Sequence, residues 1–172
     1  MNLFFLRHGI AVEAGAKGCK HDSDRYLTAE GRQKLLQVAA AFTALEVSFD
    51  LVLSSPYVRA RQTAELIAKR LGLTRGLRLT EHLQPGGSFK ALLQEIRQLK
   101  PAPAFLLIVG HEPDLSLAAS LLVSGSTAVR FELKKAGLIA LEAGALVPGG
   151  AVLQYMLTPR QMRLIAVGGI GD

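Results

Sequence analysis

Leu3-Phe4-Phe5-Leu6-Arg7-His8-Gly9 decides the reading of this chain. Four consecutive apolar residues match a strand covered on both faces, as in a parallel sheet with helices above and below. A cation, an imidazole and a glycine follow at once. Parallel α/β sheets bind ligands beyond the carboxyl ends of their strands, which is where Arg7 and His8 would stand. Gly9 is expected to let the backbone turn sharply and a ligand come close.

Working outward, the first two-thirds of the chain alternate strand-like and helix-like segments. Residues 10–27 form a long polar connection, a length that is unusual unless the loop is functional or mobile. A helix begins at Thr28, with Leu35, Val38, Ala39 and Phe42 at helical spacing. Leu51-Val52-Leu53 is a short buried strand. Ser55 is the expected N-cap of the next helix and Pro56 its first residue, with Gly72 as its stop. Leu77-Arg78-Leu79 is a third strand, and residues 81–87 form a loop. Phe89, Leu92, Leu93, Ile96 and Leu99 mark an amphipathic helix closed by Pro101 and Pro103. The run 105–109 is a strand that ends in Gly110-His111, and Pro113 opens another helix. After Gly125 the pattern changes: residues 129–133, 137–142 and 151–157 read as strands that pair antiparallel at a sheet edge. The tail from Gly168 to Asp172 is expected to fray. The fold class is therefore α/β, a three-layer sandwich with a mainly parallel central sheet, an antiparallel edge and helices on both faces. Residues 1–172 form one domain.

Composition narrows the function. The 172 residues are 49% hydrophobic, enough for one sizeable core, and no apolar run has the length of a membrane helix. No secretory signal pattern opens the chain. Cys19 is the single cysteine, read as a bystander thiol, and the chain needs no oxidising compartment, so a cytoplasmic location is expected. The net charge of +6 favours an anionic partner. Its cations are spread along the chain, without Trp or a dense basic block, so neither nucleic acid nor membrane is expected as partner.

Cationic and imidazole groups recur at three strand ends: Arg7 and His8, then Arg59 at the start of the helix after Ser55-Pro56, then His111. Two guanidinium forks suit phosphate oxygens. Two histidines offer a nucleophile and a donor. His21 and His82 are assigned no role.

Arg7-His8-Gly9, the run Ser54-Ser55-Pro56-Tyr57-Val58-Arg59-Ala60-Arg61-Gln62-Thr63-Ala64, and Gly110-His111 together resemble the histidine phosphatase superfamily, the phosphoglycerate mutase-like proteins. Leu27-Thr28-Ala29-Glu30-Gly31 resembles the start of that family's first helix. The compact length, with Leu83-Gln84-Pro85-Gly86-Gly87 and Leu157-Thr158-Pro159, is most similar to the SixA-type phosphohistidine phosphatases. The resemblance implies that His8 becomes phosphorylated in turnover while Arg7, Arg59 and His111 hold the phosphoryl group. It implies a phosphorylated protein substrate carrying phosphohistidine, or else a small phosphorylated molecule, with inorganic phosphate as product. No cofactor and no metal are expected. Many members use a carboxylate to protonate the leaving oxygen. Glu81 is the nearest candidate here, although the neighbouring His82 departs from the SixA-type pattern. An imidazole leaving group, whose conjugate acid has a pKa of roughly 6.5, depends on such an acid less than an alkoxide does. Alternatives are a small-molecule phosphomonoesterase and a non-catalytic phosphate-binding module.

Overall fold

A computed structural model describes residues 1–73 and 76–168. Six strands form one sheet: β1 (Asn2–Arg7), β2 (Leu51–Ser54), β3 (Leu77–Leu79), β4 (Phe105–Gly110), β5 (Leu138–Ala143) and β6 (Ala151–Leu157). Their order is β3-β2-β4-β1-β5-β6. The four strands β3, β2, β4 and β1 run parallel, whereas β5 and β6 extend the sheet antiparallel from β1.

Five helices cover the sheet: α1 (Ala29–Ala44), α2 (Val58–Arg70), α3 (Phe89–Gln98), α4 (Asp114–Ser124) and α5 (Pro159–Gly168). Alternation along β1 divides the core. Leu3 and Phe5 point to one face and pack with the apolar sides of α3 and α4. Phe4 and Leu6 point to the other and pack with α1, α2 and Met162 of α5. Both faces of β1 are thus buried, which is why it reads as an unbroken apolar run.

Register positions the site. Arg7 of β1 is level with Gly110 of β4, and Ser54 of β2 is level with Val109 of β4. The three central strands therefore end at one height, and His8, Ser55 and His111 are the next residues out. The His8 N–H donates to the Gly110 carbonyl and the Ser55 N–H to that of Val109, each over 3.0–3.1 Å.

Several expectations need correction. α2 begins at Val58 with Tyr57 as N-cap, so neither Ser55 nor Pro56 plays the expected capping part. The Ser55 backbone is still tied to β4, and its hydroxyl accepts from the Tyr57 N–H at 3.2 Å, so the helix starts later. Residues 129–133 form no strand. This segment crosses the end of β1 instead, where the Leu133 carbonyl accepts from the Arg7 guanidinium at 2.9 Å. Helix α5 is an element the apolar pattern did not reveal, because Met162 is its one buried residue. Its start was legible as a capping box: the Thr158 N–H donates to Gln161 Oε1 at 2.8 Å and the Gln161 N–H returns to Thr158 Oγ1, with Pro159 at the first helical position. Residues 169–172 of the tail expected to fray lie outside the described residues; Gly168 is the last residue of α5.

Gly9 serves a different purpose from the expected turn. A methyl group there would stand 2.6 Å from Leu35 Cδ1, so its smallness lets the loop after β1 pack on α1. Gly31, inside the first turn of α1, has a similar role. A Cβ there would collide with the Ile10 carbonyl oxygen, which also accepts from the Thr28 N–H at 3.0 Å. Gly31→Ala raises helix propensity by about 1 kcal/mol, yet overpacking of this kind costs about 1–3 kcal/mol. The variant is expected to unfold at lower urea than the parent; a higher midpoint would refute this account of Gly31.

Candidate active site

Beyond the ends of β1, β2 and β4 lies a cleft of about 410 Å³ lined by Arg7, His8, Arg59 and His111, together with Asp22, Arg25, Pro85, Glu112 and Lys135. All four residues expected at strand ends are therefore in one place. His8, Arg59 and His111 are almost wholly buried. The rings of His8 and His111 have centroids 5.1 Å apart.

The hydrogen bonds assign the His8 tautomer. Nδ1 lies 2.7 Å from the Gly9 carbonyl oxygen. A carbonyl can only accept, so Nδ1 carries the proton and Nε2 keeps its lone pair. That lone pair receives the Arg59 Nε–H at 3.2 Å. The Gly9 N–H in turn donates to Thr63 Oγ1 at 3.0 Å, and the Thr63 hydroxyl donates to the Arg59 carbonyl at 2.7 Å. One turn of α2 thus fixes the loop that aims His8.

His111 has the complementary arrangement. Its Nε2 lies 2.9 Å from Ser55 Oγ, which already accepts from the Tyr57 N–H. The Ser55 hydroxyl proton has no other acceptor than Nε2, which leaves the proton of His111 on Nδ1. That Nδ1 is buried and unpartnered, as is Arg7 Nε. Buried donors without partners are rare; both side chains line the cleft, although these two atoms are themselves shut off from solvent.

Electrostatics keep both rings neutral. Burial pushes the His8 pKa down to about 4, and Arg59, Arg7 and Lys135 add to the effect against the opposing Gly9 hydrogen bond. Burial likewise lowers His111 to about 3, with His8 and Arg59 adding to it. Desolvation is the largest cause at both rings, ahead of the arginines. Around the rings stand Arg7, Arg25, Arg59 and Lys135, a surplus of positive charge suited to an oxyanion.

The long loop contributes what the motifs did not disclose. It is pinned by a bridge between Ala11 and Leu27 and makes a 3-10 turn at Asp22–Asp24. The Asp22 carboxylate accepts from Arg59 and from Arg25, each at 2.9 Å, and the Asp22 carbonyl accepts from Arg59 at 2.7 Å. Partial burial raises the Asp22 pKa, but hydrogen bonds from Arg25 and Arg59 outweigh it and hold the carboxyl below its usual range. Asp22 therefore occupies the guanidinium face that a phosphoryl group would use. Only its place in an unusually long loop hinted at it.

The structure does not bring Glu81 to the cleft. It sits exposed in a 3-10 turn at Glu81–Leu83 and is absent from the lining, and neighbouring His82 is exposed as well. Glu112 lines the cleft instead. Burial raises its pKa above the ordinary carboxylate value, against the hydrogen bonds of Ser116. Ser116 Oγ lies 2.7 Å from Glu112 Oε2 and 3.0 Å from the Pro113 carbonyl. The Ser116 hydroxyl donates to both, and the Ser116 N–H donates to Glu112 Oε1 at 3.1 Å, so the start of α4 holds the Glu112 carboxyl in place. Glu112 follows directly on the Gly110-His111 motif, and that position was its available signal.

Two outcomes are expected. In an NMR titration of the free protein, His8 stays neutral, protonated at Nδ1, down to about pH 4. A midpoint near the ordinary 6.5 would refute the tautomer and burial argument. Between about pH 6.5 and 4 the unfolded chain binds more protons at His8 and His111 than the folded one, so stability present above that window is lost as pH falls through it. Second, Asp22→Asn removes a negative charge beside the anion site and is expected to tighten inorganic phosphate binding about threefold or more. Weaker binding, measured by calorimetry, would show that Asp22 chiefly organises Arg59.

The sequence profile of the Histidine phosphatase superfamily (branch 1) matches residues 3–84. An uncharacterized protein of Picosynechococcus sp. is 40% identical over 146 residues, which span 84% of this chain and 87% of that protein. The phosphohistidine phosphatase SixA of Escherichia coli K12 is 25% identical over 95% of this chain and 98% of its own length. The structure of the protein histidine phosphatase SixA complexed with tungstate superposes with a TM-score of 0.80 at 25% identity, covering 93% of this chain and 98% of that one. With the strand-end site, these likenesses place the chain in one family: it belongs to the histidine phosphatase superfamily.

Proposed function

We propose that the protein is a phosphatase that removes phosphate from phosphohistidine on a protein, with His8 as nucleophile. The observation that carries this reading is the meeting of a lone pair on His8 Nε2 with Arg7, Arg59 and His111 in one cleft. A neutral imidazole can attack phosphorus, and the surrounding cations match oxygens whose charge grows in the transition state. The likeness to SixA supports the substrate.

In the first step His8 Nε2 forms a bond to phosphorus while the bond from phosphorus to the substrate imidazole nitrogen breaks. Arg7, Arg59 and His111 hold the three oxygens. The departing nitrogen takes a proton, for which the Glu112 carboxyl, its pKa raised by burial, is the source within the cleft. In the second step water attacks phosphorus, His8 leaves with its electron pair, and the water proton returns to Glu112. Arg59 must exchange Asp22 for the phosphoryl oxygens when substrate enters. The reaction needs no metal, since charge is met by arginines.

Turnover of a phosphohistidine protein compared with alkyl and aryl phosphate esters tests the reading. The phosphohistidine protein is expected to show the highest kcat/KM, with activity unchanged by a chelator; preference for an ester would favour a small-molecule phosphatase. His8→Ala is expected to abolish turnover while leaving tungstate binding largely intact. Arg59→Ala should weaken binding and slow turnover at least about tenfold, since a charge-assisted hydrogen bond is worth roughly 1.5–3 kcal/mol. Label trapped from substrate on any residue other than His8 would overturn the assignment.

A further inference from the structure

A second and larger cleft, about 710 Å³, adjoins the first. Arg7 and Lys135 line both. Beyond them it is walled by Lys34 of α1, Lys134, and Arg160 and Arg163 of α5, while Ile10 and Pro159 supply apolar surface. Among the described residues no acidic side chain lines it. Glu30 pairs with Lys34, and Glu132 with Lys134 at 3.8 Å, both from outside the cleft. Lys135, Arg160 and Arg163 make no ion pair among the described residues.

We propose that this cleft receives acidic side chains flanking the phosphorylated histidine of a protein substrate; the proposal rests on the function proposed above. The position is right, because a chain whose phosphoryl group reaches His8 must pass neighbouring residues over Arg7 and Lys135. The chemistry favours carboxylates over a second bound phosphate. Phosphate sites at helix starts use several free backbone amides, but the first turn of α5 leaves only that of Arg160: Pro159 has none, the Gln161 N–H donates to Thr158 Oγ1 and the Met162 N–H to the Thr158 carbonyl at 3.0 Å. What remains is a strip of separate cations on long stems. Such a strip speeds encounter with an acidic surface and selects for it, with strong dependence on salt.

Four peptides test the idea: phosphohistidine or phosphotyrosine, each flanked by Glu and Asp or by Ser and Gly. For the parent, acidic flanks are expected to raise kcat/KM at least about tenfold at low ionic strength, and the advantage should shrink with added salt. In Arg160→Glu/Arg163→Glu the advantage should fall below about threefold, with turnover of neutral-flanked peptides within about twofold of the parent. Lys134→Glu, outside the helices, should reduce the advantage as well and covers the case in which the α5 variant fails to fold. Equal turnover of acidic and neutral flanks in the parent overturns the proposal, and equal turnover with strong inhibition by a free nucleoside triphosphate reassigns the cleft to small polyanions. A flank preference that survives both variants also overturns it. The phosphoryl comparison is separate: faster turnover of phosphotyrosine peptides would defeat the phosphohistidine reading and leave the flank result standing. If no peptide is turned over, fluorescence anisotropy of the same labelled peptides reads the flank preference directly, and its absence overturns the proposal.

Discussion

The hydrogen bond from His8 Nδ1 to the Gly9 carbonyl is the interaction on which the site depends. It settles which nitrogen carries the proton and so which one is free to bond to phosphorus. Everything around it keeps that choice. Burial and three cations hold the ring neutral, and Thr63 holds Gly9, whose lack of a side chain lets the loop lie against Leu35. A shift of this loop would misdirect the lone pair without touching any residue proposed to hold phosphate.

The sheet makes that interaction useful. Parallel β1, β4 and β2 end in register, so residues from three distant parts of the chain leave the sheet together. An empty cluster of arginines in a buried cleft would repel itself, and Asp22 offsets this by lying on Arg59 and Arg25. The same contact competes with an incoming phosphoryl group. Asp22 thus stabilises the free site, and a contact that must be given up to an incoming ligand suits the proposed reaction, which ends in release of phosphate.

Much of this was legible beforehand where one residue type has one dominant physical reading. An unbroken apolar run such as Phe105 to Val109 reads as a central strand in a chain of this pattern, and Leu106 to Val109 are fully buried. Arg7, His8, Arg59 and His111 stood out because cations and imidazoles are costly at strand ends unless they have a task. Legibility failed where an element's character depends on distant partners. The stretch 129–133 alternates like a strand, but the Leu133 carbonyl is taken by the Arg7 side chain, so it never joins the sheet. Helix α5 buries a single side chain and left only its capping box as a trace.

The sequence by itself determined the α/β class, the alternation of strands and helices as far as α4, and the cationic and imidazole residues that meet at the sheet's end, because hydrophobic periodicity and charge are local properties. Tertiary structure decided the rest. It put Glu81 on the surface and Glu112 in the cleft, though both follow strands, because proximity to a pocket depends on where the following turn leads. It chose the tautomers of His8 and His111 through partners one residue and 56 residues away in the chain. It also joined α1, α5 and the end of β1 around one basic cleft, since charges spread thinly along a chain acquire a field only when folding gathers them.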